Sequence, residues 1–181
     1  MKRVSVFAAL LTFALTFGML AGSVQAADKV YKWKCQAHWP TASSSYEASL
    51  IQIIDELKEK TNGRLIIEPY PAGALVTAKE ILNAVKRGMI EMGTASPAYT
   101  RDQVPLSNVA TGLPFAFQEV WEVAYFHKFM GFEQMMRDAF AKHGVLYVTE
   151  KIYPTELVTK KPIRTAADFE GLKLRSSGTL Q

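Results

Sequence analysis

The chain has 181 residues and a formal net charge of +4, from 21 Lys and Arg against 17 Asp and Glu. That balance is weak and no basic stripe is visible, so nucleic acid is not an expected partner. The single cysteine, Cys35, excludes an internal disulfide and a multi-cysteine metal site. No cofactor is expected.

The N-terminus reads as an export signal. Lys2 and Arg3 precede an apolar run from Val4 to about Leu20. Val24-Gln25-Ala26 then offers small residues three and one before a cut, which predicts cleavage after Ala26. A membrane anchor is the competing reading, but the run is slightly short for a span and the cleavage site follows it closely. A lipid-attachment site would need Cys after Leu20-Ala21-Gly22. Ser23 stands there, so the mature protein is expected to be untethered. Loss of Lys2 and Arg3 leaves 19 basic residues against 17 acidic ones, and a chain long enough for one domain with a core.

Strands and helices alternate along the mature chain, which predicts an α/β sheet. Val30 to Gln36 is strand-like, with Val30, Tyr31, Trp33 and Cys35. Cys35 within it is expected to be a buried, inert thiol. His38 to Ser43 is a loop. A helix is predicted from about Ser44 to Thr61, with Tyr46, Leu50, Ile53, Ile54 and Leu57 inward. Asn62-Gly63 supplies its left-handed end. Arg64 to Tyr70 is the second strand. Thr77 and Glu80 have capping-box spacing before a helix to about Arg87. Met89 to Thr94 is the third strand, followed by a loop rich in Ser, Pro and Tyr.

Two more helices are predicted over Glu119 to Phe129 and Phe132 to Lys142, punctuated by Gly131 and Gly144. Their aromatics and methionines, among them Trp121, Tyr125, Met135, Met136 and Phe140, are expected in the core rather than around a cofactor. Val145 to Ile152 and Thr155 to Thr159 read as strands. Thr165 is placed to cap a brief turn through Phe169. Leu172 to Arg175 reads as a final strand, and Arg175 at its end offers a rigid cationic fork that fits a carboxylate. A salt bridge is the commoner use of such a group. A strand at the very end of the chain lacks its crossover and neighbour, so the sequence reads as a fragment or truncated frame. A small complete domain with a frayed tail is the alternative.

The order of segments resembles the N-terminal half of the DctP-type solute receptors of tripartite ATP-independent periplasmic (TRAP) transporters. The resemblance is carried by Glu59-Lys60-Thr61-Asn62-Gly63-Arg64-Leu65, Pro71-Ala72-Gly73-Ala74-Leu75 and Val85-Lys86-Arg87-Gly88-Met89-Ile90-Glu91-Met92-Gly93. Leu113-Pro114-Phe115-Ala116-Phe117 and Gly171-Leu172-Lys173-Leu174-Arg175 complete it. Each motif alone is weak, and their order across nearly the whole mature chain makes the match.

The resemblance implies a periplasmic protein of two α/β lobes around a cleft. Residues 27–150 would form a nearly complete first lobe, and residues 151–181 the incomplete opening of a second. It implies a small organic-acid ligand gripped by Arg175, and integral-membrane permease subunits as partners. Cleft walls are expected from His38 and Trp39 after the first strand and Ser44 at the next helix start, with Ser96 and Tyr99 after the third strand and Phe115 after Pro114. Ser44 as a plain cap, His38 as a surface histidine, Phe115 as core and Tyr99 as lid or surface stand as bland alternatives. Tyr153-Pro154-Thr155-Glu156 lacks the second arginine of sialic-acid-binding members. That departure points to a monocarboxylate, 2-oxo acid or aromatic acid. An exported hydrolase finds no support: no Gly-x-Ser-x-Gly elbow, His-Glu-x-x-His helix or phosphate loop is present. The three histidines, His38, His127 and His143, show no metal spacing.

Overall fold

Among the described residues three parallel strands carry the fold, in the order β2-β1-β3: β1 is Tyr31–Gln36, β2 is Leu65–Tyr70 and β3 is Met92–Gly93. The computed structural model describes residues 29–113, 116–152 and 158–174. The export segment 1–26, Phe115, Arg175 and most of the expected strand 155–159 lie outside them. Residues from Tyr31 onward form a unit of their own.

Register runs from Tyr31 opposite Leu65 to Gln36 opposite Tyr70, and from Cys35 opposite Met92 to Gln36 opposite Gly93. A π-helical segment, Tyr46–Ile51, leads directly into helix α1, Gln52–Lys60. Its apolar stripe closes on the sheet: Tyr46, Leu50 and Ile54 are buried with Cys35, Ala37 and Ile67. Asn62 and Gly63 both take left-handed backbone (φ 50° and 74°), which ends the helix where the sequence placed the stop.

Helix α2, Ile81–Lys86, bridges β2 to β3 and buries Ile81, Leu82 and Ala84. Side chains alternate across a strand, so the Gln36 row faces away from the Cys35 row. On that second face a Cβ at Gly93 would lie 2.3 Å from Ile81 Cγ2, so the close seat of α2 on β3 needs glycine there. Both faces of the parallel sheet are thus covered at this end, as such sheets require. The Thr77–Glu80 pair is only half a capping box. The Glu80 carboxylate accepts the Thr77 amide (3.1 Å), but the Thr77 hydroxyl also donates to that carboxylate (2.6 Å) instead of accepting an amide.

A short helix α3, Ser107–Ala110, precedes α4, Val120–Phe129, and α5, Phe132–Ala141. Glu119 and Glu122 form a true capping box at the start of α4. Phe132, Met136 and Phe140 bury with Leu82 and Val104 in a second cluster.

Several expectations are corrected. The third strand is two residues, not six, because the Glu91 carboxylate takes the Lys34 amide (2.8 Å) where a ladder carbonyl would have been. Residues 145–152 form no strand; half-buried and exposed side chains alternate, but no described strand lies beside them to pair. Side chains hold the segment instead, with Phe140 stacked on Tyr147 at 4.9 Å. Leu172–Leu174 also stays unpaired among the described residues. Trp121, Tyr125 and Met135 are exposed rather than core. Apolar residues encircle α4, and only the side bearing Phe126 and His127 can meet Phe132. Thr165 does cap a brief turn, Ala166–Phe169, through a box with Asp168.

Candidate functional site

In a parallel sheet ordered 2-1-3, the chain leaves β1 toward β2 but reaches β3 on the opposite side. Such a switch in direction opens a crevice outside the carboxyl ends of β1 and β3, where open α/β sheets bind ligands. The loops that follow those two strands carry His38, Trp39, Thr94, Ser96 and Tyr99.

Buried Gln36 stitches these loops together. Its Nε2 donates to Pro71 O (2.7 Å) and Ala37 O (2.8 Å), and its Oε1 accepts the Leu75 amide (2.9 Å). Trp39 O accepts the Ala72 amide (2.9 Å), and Gln36 O accepts that of Thr94 (3.0 Å). The loop after β2 is thereby fixed against the loop after β1, and the loop after β3 is fixed to the same strand end. A side chain held on both donor and acceptor sides is a rigid support for a site.

On this base three rings converge. The His38 ring lies 4.1 Å from Trp39, tilted, and 6.3 Å from Tyr99, edge-on. His38 and Trp39 are half-buried, and Tyr99 keeps about a third of its surface open, at 37%. Thr94 Oγ1 accepts the His38 main-chain N–H at 3.1 Å and lies 2.9 Å from the ring Nδ1. Burial holds the His38 pKa below its ordinary value, outweighing the Thr94 main chain, which favours the charged ring. Ser96 is partly buried, and its carbonyl accepts the Tyr99 amide (2.9 Å) to close the turn Pro97–Tyr99.

Ser44 is exposed and its hydroxyl meets no described partner. The hydroxyl that accepts an amide at this helix start is Ser43, from Ser45 N at 3.2 Å. The structure therefore brings together His38, Trp39 and Tyr99, leaves Ser44 on the surface, and does not describe Phe115 or Arg175.

Sequence reasoning missed Gln36 and Thr94. A polar residue at the buried end of an apolar strand was the available signal for Gln36. Beneath the site, Cys35 is fully buried and its thiol is pushed up to about 12, by burial first and the Glu150 charge second, so it stays protonated and inert. The hydroxyl of Ser49 donates to Glu150, and Lys151 Nζ donates to Ser45 Oγ (2.8 Å), which ties the 145–152 segment to the first helical turns. Among the described residues no three His, Cys, Asp or Glu side chains cluster to hold a metal ion.

Residues 36–180 match the bacterial extracellular solute-binding proteins, family 7, the DctP family. The chain belongs to that family. It is a family of solute-binding proteins, not of enzymes, so the hydrolase alternative falls. A monocarboxylate 2-oxoacid-binding periplasmic protein of Nostoc sp. (strain PCC 7120) is 28% identical over 158 residues, which is 86% of this chain and 43% of that protein. Among solved structures, a TRAP periplasmic solute-binding protein from Chromohalobacter salexigens, with bound (S)-(+)-2-amino-1-propanol, superposes with a TM-score of 0.73 at 25% identity. That match covers 83% of this chain and 47% of the other. One from Pseudoalteromonas atlantica, with bound sodium and pyruvate, gives a TM-score of 0.66 at 22% identity and covers 83% and 46%. The chain thus spans less than half of each of these DctP relatives. Their fold is the α/β binding-protein fold expected from the sequence.

Proposed function

We propose that this DctP-family chain is part of a periplasmic receptor that captures a small organic acid for a TRAP transporter. The convergence of His38, Trp39 and Tyr99 at the β1/β3 switch point carries the reading. These rings offer apolar cover beside N–H donors, which suits a compact carboxylate or 2-oxo acid. The Nostoc relative, named for 2-oxo acids, points the same way.

In this reading residues 27–150 supply the first lobe and residues 151–181 begin the second. Arg175 pairs the carboxylate from the second lobe through a charge-assisted bond, worth about 1.5–3 kcal/mol net. Ser96 and Ser44 serve remaining acceptors, and Trp39, Tyr99 and Phe115 cover the apolar part. The closed form is favoured by the extra ligand contacts it makes. The loaded receptor then delivers its cargo to the membrane permease subunits.

One experiment tests the whole. Exported with its leader in place, the complete protein should begin at Ala27 and quench or enhance its tryptophan fluorescence with organic acids. Arg175→Ala should abolish that response. Near-normal affinity in the mutant would refute the role of Arg175, and a folded wild type silent to every acid would refute the receptor reading.

A further inference from the structure

Thr94 Oγ1 stands against two nitrogens of one residue, the main-chain N–H and the ring Nδ1 of His38. A hydroxyl has one proton and two lone pairs. The main-chain amide occupies one lone pair, so two arrangements remain. In one, the Thr94 O–H donates to an unprotonated Nδ1. In the other, Nδ1–H donates to the second lone pair, and the Thr94 proton needs a different acceptor.

Thr94 is buried, and its hydroxyl meets no third partner among the described residues. The second arrangement would leave a buried donor unmade, which folded proteins avoid. The first gives the Thr94 proton an acceptor and places the ring proton on Nε2. Among the described residues Nε2 has no partner, and the ring that carries it is half open at the crevice between Trp39 and Tyr99.

We propose that Thr94 locks His38 as the neutral Nε2–H tautomer and that this N–H donates to the 2-oxo oxygen of the bound acid. This rests on the reading of the crevice as an organic-acid site. His38 is then the residue that selects a 2-oxo acid over the same acid without the oxo group, and Thr94 is a positioning residue that acts through it. A site built to donate a hydrogen bond discriminates strongly against an analogue that lacks the acceptor, because its own polar group is left unpaired.

Nitrogen-15 NMR of the histidine ring, on the complete protein, reads the tautomer directly. The expected spectrum has the His38 proton on Nε2. Thr94→Val, which removes the hydroxyl at nearly constant volume, should shift population toward Nδ1–H, and Thr94→Ser should restore the wild-type pattern. Pyruvate should move the Nε2 signal, and propionate should move it less. In titrations, His38→Phe should weaken pyruvate binding by about 10- to 100-fold while changing propionate little, and His38→Gln should recover part of the loss through its own N–H.

A wild-type proton on Nδ1 would overturn the lock while leaving acid binding intact. Equal effects of His38→Phe on both acids, or no effect on either, would overturn the selective role. A wild type that binds neither acid would overturn the proposal along with the receptor reading beneath it.

Discussion

Among the described residues a histidine meets a threonine hydroxyl in two places, with opposite consequences. At the carboxyl edge of the sheet, His38 Nδ1 lies 2.9 Å from Thr94 Oγ1, and the ring stays half open between Trp39 and Tyr99. On helix α4, His127 Nδ1 lies 3.3 Å from Thr149 Oγ1, but that ring is buried edge-on against Phe132 at 4.9 Å. The two threonines differ in their second partner. Thr149 can give its proton to the Tyr147 oxygen at 3.4 Å, which leaves Nδ1 of His127 as donor. Among the described residues Thr94 has no such outlet, so its proton goes to the ring. The pair of residue types does not set the role; the next acceptor along and the openness of the ring do.

The comparison breaks first at Phe132. It seals His127 and stacks on Phe126 at 4.7 Å. Phe132→Ala should cost about 3–5 kcal/mol of stability in urea unfolding. The rings at the sheet edge should show no comparable dependence, so Trp39→Ala should cost less stability than Phe132→Ala. If the two losses are equal, the site rings are core and the contrast is void.

Gln36 sharpens the other side. Gln36→Leu leaves the Leu75 amide and the Pro71 carbonyl without their buried partner and should cost about 1–3 kcal/mol. The loss should appear locally, as faster amide exchange at Leu75 and Val76. Unchanged exchange there would show that the loops are held by other means.

The smallest effect is with pH. Burial lowers the pKa of His127 first, the Lys128 charge adds to this, and Glu133 opposes it. A base whose folded pKa is depressed takes up its proton more readily when unfolded, so stability falls as pH drops through the ordinary 6.5. His38 acts in the same direction, but its half-open ring is partly screened by water. Burial alone would raise the Glu133 carboxyl, yet its bonds to Lys128 and Arg137 outweigh that and hold its pKa below the ordinary 4.5. Between about pH 7 and 5 the two histidines pull stability down, against Glu150, whose carboxyl burial pushes above the ordinary 4.5 and which gains stability on protonation. The unfolding midpoint should fall across that range, and His127→Phe should flatten the slope more than His38→Phe. The reverse order would mean that the sheet-edge ring is the more buried one.

Much of the first half was legible locally. The stripe of α1 and its left-handed stop at Asn62-Gly63 follow from spacing and from backbone preferences of single residues. The cap of Thr165 on its short turn is equally local. The family was legible from short motifs in order, and with it came the expectation that His38, Trp39 and Tyr99 line one cleft. The alternative of Ser44 as a plain cap was one residue off, because the choice between Ser43 and Ser44 depends on the loop path after Pro40.

Where partners were distant in sequence, the reading failed. Glu91 replaces a ladder bond to Lys34, 57 positions away, and trims β3 to two residues. Strand-like alternation at 145–152 has no neighbour to pair with among the described residues. Apolar residues encircle helix α4 despite Glu122, His127 and Lys128, so periodicity could not tell that Trp121 and Tyr125 face outward.

By itself the sequence determined the local elements, their α/β order and the DctP kinship, since each rests on preferences that act over a few residues. The tertiary structure decided which polar groups meet. Gln36 reaches a loop 39 positions ahead, and Thr94 reaches back 56 positions to His38. Hydrogen bonds carry direction and reach only about 3 Å, so no pattern along the chain encodes them before the sheet brings its strand ends together.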